Sequence, residues 1–115
     1  MPVAIYYNPK CAKCREALGL LTDRGIKPRV IEYLKNPPSE TELKELLKLL
    51  GLKPRGLLRT KEPEYAQAGL DNPALSDDAI IRAMLKYPKL IERPIVIAGN
   101  KAALGRPPRN ILNIL

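Results

Sequence analysis

The first part of the chain alternates between strand and helix patterns in an order that few folds accommodate. Residues 3–7 form an apolar run typical of a buried strand, which Asn8-Pro9 ends, and residues 12–24 follow with helical periodicity. A second apolar run at residues 28–34 predicts another strand. A strand, a helix and a strand within about thirty residues form a βαβ unit with parallel strands. The chain is therefore predicted to adopt an α/β fold.

The remaining residues add a block of helices and a β-hairpin. Helical patterns cover residues 39–50, 54–58, 62–68 and 76–87. An apolar run at residues 94–98 and a partner strand at residues 101–104 predict the hairpin, and residues 109–115 predict a last short helix. This order predicts a mixed four-stranded sheet with a helical insertion between its βαβ and ββα parts. We expect residues 1–115 to form a single domain.

The amino-acid composition excludes several kinds of functional site. The chain has no histidine, so a Ser-His-Asp or Cys-His nucleophile pair cannot occur, and two cysteines cannot supply the four protein ligands of a structural zinc. We therefore expect no bound metal. Phenylalanine and tryptophan are absent as well, so base-stacking surfaces are poorly supported and no DNA partner is expected. Twenty Lys and Arg against twelve Asp and Glu give a net charge of +8, which favours an anionic partner.

The sequence also bears on where the protein works. No apolar run approaches the roughly 18 residues of a membrane span. The N-terminal residues lack the charged segment and long apolar stretch of a signal peptide. We therefore expect no membrane partner and a cytoplasmic location.

Both cysteines lie in one motif, Cys11-Ala12-Lys13-Cys14, which follows the first strand and opens the first helix. A Cys-x-x-Cys motif beside a βαβ pattern is typical of thioredoxin-like redox proteins. Free backbone N–H groups and the positive end of the helix dipole lower the pKa of a thiol there, and Lys10, Lys13 and Arg15 add positive charge. Cys11 is therefore the candidate nucleophile. Cys14, about one turn further in, is a candidate resolving thiol that could attack an adduct on Cys11. Two incidental cysteines are the weaker interpretation.

Three arginines, Arg59, Arg93 and Arg106, lie at the junctions of predicted elements. A guanidinium group is a planar fork that suits tetrahedral oxyanions and keeps its charge when partly buried. A single arginine is more often a solvated surface residue. The sequence alone does not bring these three side chains to Cys11.

Several short segments together resemble a known family. They are Asn8-Pro9-Lys10-Cys11 with Arg15, Tyr33-Leu34, Pro37-Pro38, Leu57-Leu58-Arg59, Leu90 to Ile95 with its Glu92-Arg93-Pro94, and Gly105-Arg106-Pro107. On these residues the chain resembles the ArsC family of glutaredoxin-coupled arsenate reductases over essentially its whole length. The resemblance implies a thioredoxin-like fold with a helical insertion and a cis peptide bond before Pro94.

The resemblance also implies roles for particular residues. It makes Cys11 the nucleophile that attacks arsenate, with Asn8 and Arg15 in the environment of the thiolate. It makes Arg59, Arg93 and Arg106 an oxyanion-binding set. No bound cofactor is implied. Glutathione is the expected co-substrate that resolves the adduct, and glutaredoxin then recycles the enzyme, with thioredoxin as the other possible redox partner.

Two positions depart from the family pattern and keep alternatives open. Cys14 stands where the family usually has serine, and Tyr7 stands where it often has histidine. An internal thiol could replace glutathione in resolving the adduct. The chain also resembles the Spx regulators, which bind the RNA polymerase alpha subunit and use a Cys-x-x-Cys pair as a redox switch. A general dithiol-disulfide oxidoreductase is the third hypothesis.

Overall fold

The computed structural model describes residues 2–115 and divides into two compact units. The first unit combines the chain up to Asn36 with Arg93–Leu115, and the second consists of Pro37–Glu92. Every strand belongs to the first unit. That residues 1–115 form a single domain therefore remains a prediction.

The first unit contains the mixed four-stranded sheet that the sequence predicts. Its strands are β1 (Val3–Tyr7), β2 (Arg29–Glu32), β3 (Ile95–Ala98) and β4 (Lys101–Leu104), in the order β2-β1-β3-β4. Strand β1 runs parallel to β2, as the βαβ pattern requires, and antiparallel to β3. Strands β3 and β4 form the antiparallel hairpin. The predicted sheet is confirmed.

The register of the sheet determines which loops meet at its end. Tyr6 pairs with Ile95 across β1 and β3, and Ile95 pairs with Leu104 across β3 and β4. The pairing continues past the hairpin strands, because the Gly105 N–H donates to the Pro94 carbonyl at 2.8 Å. The residues that leave β1, enter β3 and leave β4 therefore lie side by side.

One helix covers a face of this sheet. Helix α1 (Ala12–Asp23) follows β1, and its Ala17 and Leu21 are fully buried. A 3-10 helix at Pro108–Ile114 ends the chain and contributes Ile111. Five of the buried residues of the unit form one packed apolar cluster, Ile5, Ala17, Leu21, Val96 and Ile111. Apolar burial at about 25 cal/mol per Å² holds α1 on the sheet, and with it the cysteines at its start.

The second unit is helical and forms the predicted insertion between β2 and β3. Its helices are α2 (Glu40–Leu50), α3 (Pro63–Gln67) and α4 (Asp77–Lys86), with 3-10 turns at Pro54–Leu57 and Pro88–Leu90. Helix α2 begins with a capping box, in which the Ser39 hydroxyl accepts the Glu42 N–H and the Glu42 carboxylate accepts the Ser39 N–H. Within residues 2–115, no helix has both the length and the apolar character needed to cross a membrane.

The end of strand β2 and the form of the last helix differ from the sequence prediction, while the other predicted bounds shift by at most one residue. Strand β2 ends at Glu32 rather than at residue 34, because the Lys35 and Asn36 N–H groups both donate to the Glu32 carbonyl and turn the chain. The last helix is a 3-10 helix over Pro108–Ile114. Turns of this kind depend on single hydrogen bonds, which the residue pattern does not reveal.

Candidate active site

Cys11 is the N-cap residue of α1. Its backbone is extended, with φ −94° and ψ 119°, and its Sγ accepts the Cys14 backbone N–H at 3.4 Å. The Cys11 N–H donates to the Asn8 carbonyl at 2.9 Å, which closes the loop between β1 and α1. The side chain is only 7 % exposed. The cysteine sulfur therefore occupies the place where a capping oxygen usually accepts the first free N–H groups of a helix.

The surroundings of Cys11 lower its pKa. Burial acts in the opposite direction and is the largest single influence, but four groups together outweigh it. The Cys14 N–H and thiol both donate to the Cys11 sulfur, the Arg93 guanidinium supplies a positive charge, and the Lys13 N–H donates as well. Cys11 is therefore the more acidic thiol of the motif, as a nucleophile must be.

Cys14 has the opposite character. It is fully buried, and burial is the main cause that raises its pKa to about 12. A backbone hydrogen bond from Asn8 lowers the pKa. The hydrogen bond to Cys11 and the negative charge on Cys11 raise it further, and Arg93 lowers it. Cys14 is therefore a protonated thiol at neutral pH, and Cys11 is the thiol of the pair that ionises more readily.

The difference between the two thiols predicts selective alkylation. Iodoacetamide reacts with thiolates, so Cys11 should be modified at a lower pH than Cys14, while Cys14 stays unmodified until the pH approaches 12. Peptide mass mapping after timed labelling across a pH series measures both rates. Equal labelling of Cys14 and Cys11 at neutral pH, in protein shown to be folded, would contradict the assignment.

Arg93 and Arg106 lie together because the hairpin register brings their segments side by side. The Arg106 Nε donates to the Arg93 carbonyl at 2.8 Å, and the Asn110 side-chain amide donates to the Arg106 carbonyl at 3.1 Å. The positive charge of Arg93 acts on both cysteines. The structure thus brings Arg93, Arg106 and the cysteine pair to one end of the sheet.

Pro94 and Gly105 make a close backbone contact beside these arginines. The Arg93–Pro94 peptide bond is cis, the conformation that the family resemblance implies, and the Arg106–Pro107 bond is cis as well. A Cβ on Gly105 would lie 2.7 Å from the Pro94 Cγ and 3.3 Å from the Ile111 Cγ2. Only glycine therefore lets the end of β4 pack on Pro94.

Adding a methyl group at this contact should destabilise the protein. Gly105→Ala would place its Cβ against two buried side chains, and overpacking of this kind costs about 1–3 kcal/mol. Gly19→Ala is the matched control, because nothing lies within 4 Å of its added Cβ and alanine is favoured in a helix interior by about 1 kcal/mol. Urea unfolding measures both variants. A Gly105→Ala protein as stable as the wild type would refute the packing argument.

Hydrogen bonds made by Asn8 and Arg15 stabilise the loop between β1 and α1, which carries Cys11. The Asn8 Oδ1 accepts the Lys10 N–H at 3.0 Å, and the Arg15 Nη1 donates to the Pro9 carbonyl at 2.8 Å. Asn8 thus contacts Cys11 through its backbone, and Arg15 holds the loop that carries it. Their expected place in the environment of the thiolate stays a prediction.

Arg59 belongs to the helical unit, where two carboxylates surround it. Its Nη1 lies 3.2 Å from the Glu62 Oε1 and its Nε lies 3.7 Å from the Glu92 Oε1. The Arg59 N–H donates to the Leu90 carbonyl at 2.7 Å, beside the bridge between Leu58 and Ile91. Sequence reasoning missed these carboxylates. The three-residue spacing of Arg59 and Glu62 was the one available signal, whereas Glu92 is distant in sequence.

Arg55 is another residue that the sequence did not single out. Its Nη1 donates to the Leu70 carbonyl at 2.8 Å, and its Nη2 donates to the Asn72 carbonyl. The guanidinium group thereby ties the loop after α3 to the 3-10 turn at Pro54–Leu57. This is a structural role within the helical unit.

Comparison of the sequence with known protein families shows which family the chain belongs to. The model of the ArsC family matches residues 6–114, which is nearly the whole chain. The chain belongs to the ArsC family. The matched range includes both cysteines and the three arginines that the sequence analysis singled out.

Individual ArsC relatives extend this finding. The chain is 49% identical over 114 residues to an arsenate reductase of Neisseria meningitidis, a match that covers 98% of this chain and 97% of the relative. It is 47% identical to an Escherichia coli protein named as uncharacterized, covering 98% and 96% of the two chains. A solved arsenate reductase structure from Vibrio cholerae superposes with a TM-score of 0.97 at 52% identity, covering 100% of this chain and 98% of that one. The predicted thioredoxin-like fold is confirmed by this superposition.

Proposed function

We propose that this protein reduces arsenate to arsenite through Cys11. The observation that carries the proposal is the position of Cys11 at the start of α1, where hydrogen bonds and Arg93 lower its pKa despite burial. The full-length similarity to proteins named arsenate reductase supports the same substrate. The arsenate reductase names also favour this hypothesis over a regulator of RNA polymerase and over a general disulfide oxidoreductase.

The proposed chemistry begins with thiolate attack on arsenic. The Cys11 thiolate displaces a hydroxyl group of arsenate, which takes up a proton from the solvent and leaves as water, and a bond between sulfur and arsenic(V) forms. Arg93 and Arg106 are proposed to hold the arsenate oxygens, because guanidinium groups bind tetrahedral oxyanions through paired N–H donors. Arg59, in the helical unit, stays a prediction of the family resemblance as an oxyanion-binding residue. Its carboxylate partners, Glu62 and Glu92, would then orient the guanidinium group.

Turnover needs a thiol reductant from solution. Glutathione with glutaredoxin and a thioredoxin system are the two candidates, and no bound cofactor is required by either. The cytoplasm keeps thiols reduced through these two systems, which suits an enzyme that starts each cycle from a free thiolate. We therefore place the reaction in the cytoplasm.

An arsenate-reduction assay tests the proposal. The full chain is incubated with arsenate and either glutathione with glutaredoxin or thioredoxin with its reductase, and arsenite is measured directly. Arsenite formation that requires the protein and at least one of these reductants supports the proposal. Absence of arsenite with both reductants, from folded protein with a free Cys11, would overturn it.

A further inference from the structure

We infer that Cys14 is the second catalytic thiol of this enzyme and that its reductant is a protein dithiol acting on a Cys11–Cys14 disulfide. The inference rests on the proposed arsenate reduction and specifies how the adduct is resolved. Cys14 is one of the two positions at which this chain departs from the family pattern. Glutathione is then not required to resolve the adduct on Cys11.

The positions of the two sulfurs carry the inference. Cys11 caps α1 and Cys14 lies three residues further, with its N–H and its thiol both directed to the Cys11 sulfur. The Cys14 backbone nitrogen lies 3.4 Å from the Cys11 sulfur, and a disulfide joins residues whose Cβ atoms are about 3.5–4.5 Å apart. Both cysteines are free thiols. The two sulfurs can therefore bond with a small movement at the start of the helix.

Burial favours the internal thiol over an external one. Cys14 is inaccessible to solvent and Cys11 is 7 % exposed, so an incoming glutathione must approach a largely covered sulfur. Cys14 is already in place, and a positioned intramolecular group can act with an effective concentration above about 10⁵ M. Internal attack should therefore outrun attack by glutathione at millimolar concentration.

The first step also activates Cys14 for the second. The thiolate of Cys11 raises the pKa of Cys14 through its charge and its hydrogen bond, next to the larger effect of burial. Formation of the arsenic adduct removes that thiolate, while the Asn8 hydrogen bond and the Arg93 charge, which both lower the Cys14 pKa, remain. The proton of Cys14 therefore leaves more easily once the adduct has formed.

The step balances without any further reactant. Cys14 loses its proton and attacks the Cys11 sulfur, so a sulfur–sulfur bond forms and the sulfur–arsenic bond breaks. The electron pair of that bond stays on arsenic, which leaves as arsenite and takes up the proton. Arsenic gains two electrons and each sulfur loses one. A protein dithiol then reduces the disulfide by thiol exchange at Cys11 and becomes a disulfide itself.

A single-turnover experiment without added thiol tests the inference. Reduced full-length protein in excess over arsenate should yield one arsenite per arsenate. Intact-mass spectrometry should then show a loss of two hydrogens, with a Cys11–Cys14 bridge in the peptide map. Cys14→Ser should form no arsenite until glutathione is added, after which turnover returns. Cys14→Ala repeats the test with a side chain that adds no buried hydroxyl.

The outcomes separate this inference from the proposed function. If the wild type forms arsenite only with glutathione, carries glutathione on Cys11 and keeps Cys14 free, the inference is overturned and the proposed function stands. Cys14 variants that match the wild type without added thiol would also overturn it. No arsenite from any variant with any reductant overturns the proposed function and this inference together. In steady state, a thioredoxin system should support wild-type turnover but not turnover of the Cys14 variants.

Discussion

Replacing Cys11 by serine is expected to abolish arsenate reduction. A serine hydroxyl stays protonated at neutral pH, so it does not attack arsenate to form the adduct. Its oxygen also cannot form a disulfide, so it cannot supply electrons to arsenic. The loss should reach the background rate, because removal of a nucleophile can lower the rate by about a millionfold. Arsenite formation under saturating reductant measures the effect.

Cys14→Ser, assayed with glutathione as the reductant, is the comparison variant. It makes the same chemical change in the same motif but keeps the Cys11 nucleophile, so turnover with glutathione should persist. Urea unfolding of both variants separates a chemical defect from a folding defect. Arsenite formation by folded Cys11→Ser protein at the wild-type rate would show that another group attacks arsenate.

Removing the Arg93 side chain should give the second largest loss. One oxyanion donor is worth about 3 kcal/mol of transition-state stabilisation, so Arg93→Ala should lower kcat/KM roughly a hundredfold. Arg93→Lys keeps the charge and loses the paired N–H donors, so it should fall between the alanine variant and the wild type. Iodoacetamide should also label Cys11 more slowly at neutral pH in the alanine variant, because the positive charge of Arg93 no longer lowers the pKa of the Cys11 thiol.

Arg82→Ala on α4 is the control for a loss of charge alone. Arg82 is exposed to solvent, and surface substitutions usually change stability by less than about 0.5 kcal/mol. Its kinetics should match those of the wild type. If kcat/KM is unchanged in each of Arg59→Ala, Arg93→Ala and Arg106→Ala, these arginines do not bind the oxyanion.

Most of the element order could be predicted because its signals are local. The capping box at Ser39 and the turn residues between β3 and β4 depend on neighbours a few positions away, and the structure contains both. The position of Cys11 at the start of α1 is equally local, because a strand, a turn and a helical run follow one another directly. The predictions that differed in detail, the end of β2 and the form of the last helix, concern single hydrogen bonds at element ends.

The sequence by itself determined which chemistry is available: two thiols at a helix start, arginines at element junctions and no histidine. Only the tertiary structure decided how these groups act on one another. Arg93 and Arg106 meet because the β3–β4 register places them opposite, and Arg59 is paired with Glu92 across thirty-three positions of the chain. The deeper burial of Cys14, together with the hydrogen bonds and charge between the two thiols, separates the acidities of Cys11 and Cys14. Burial and Coulomb interactions depend on distance in space, which residue order does not specify.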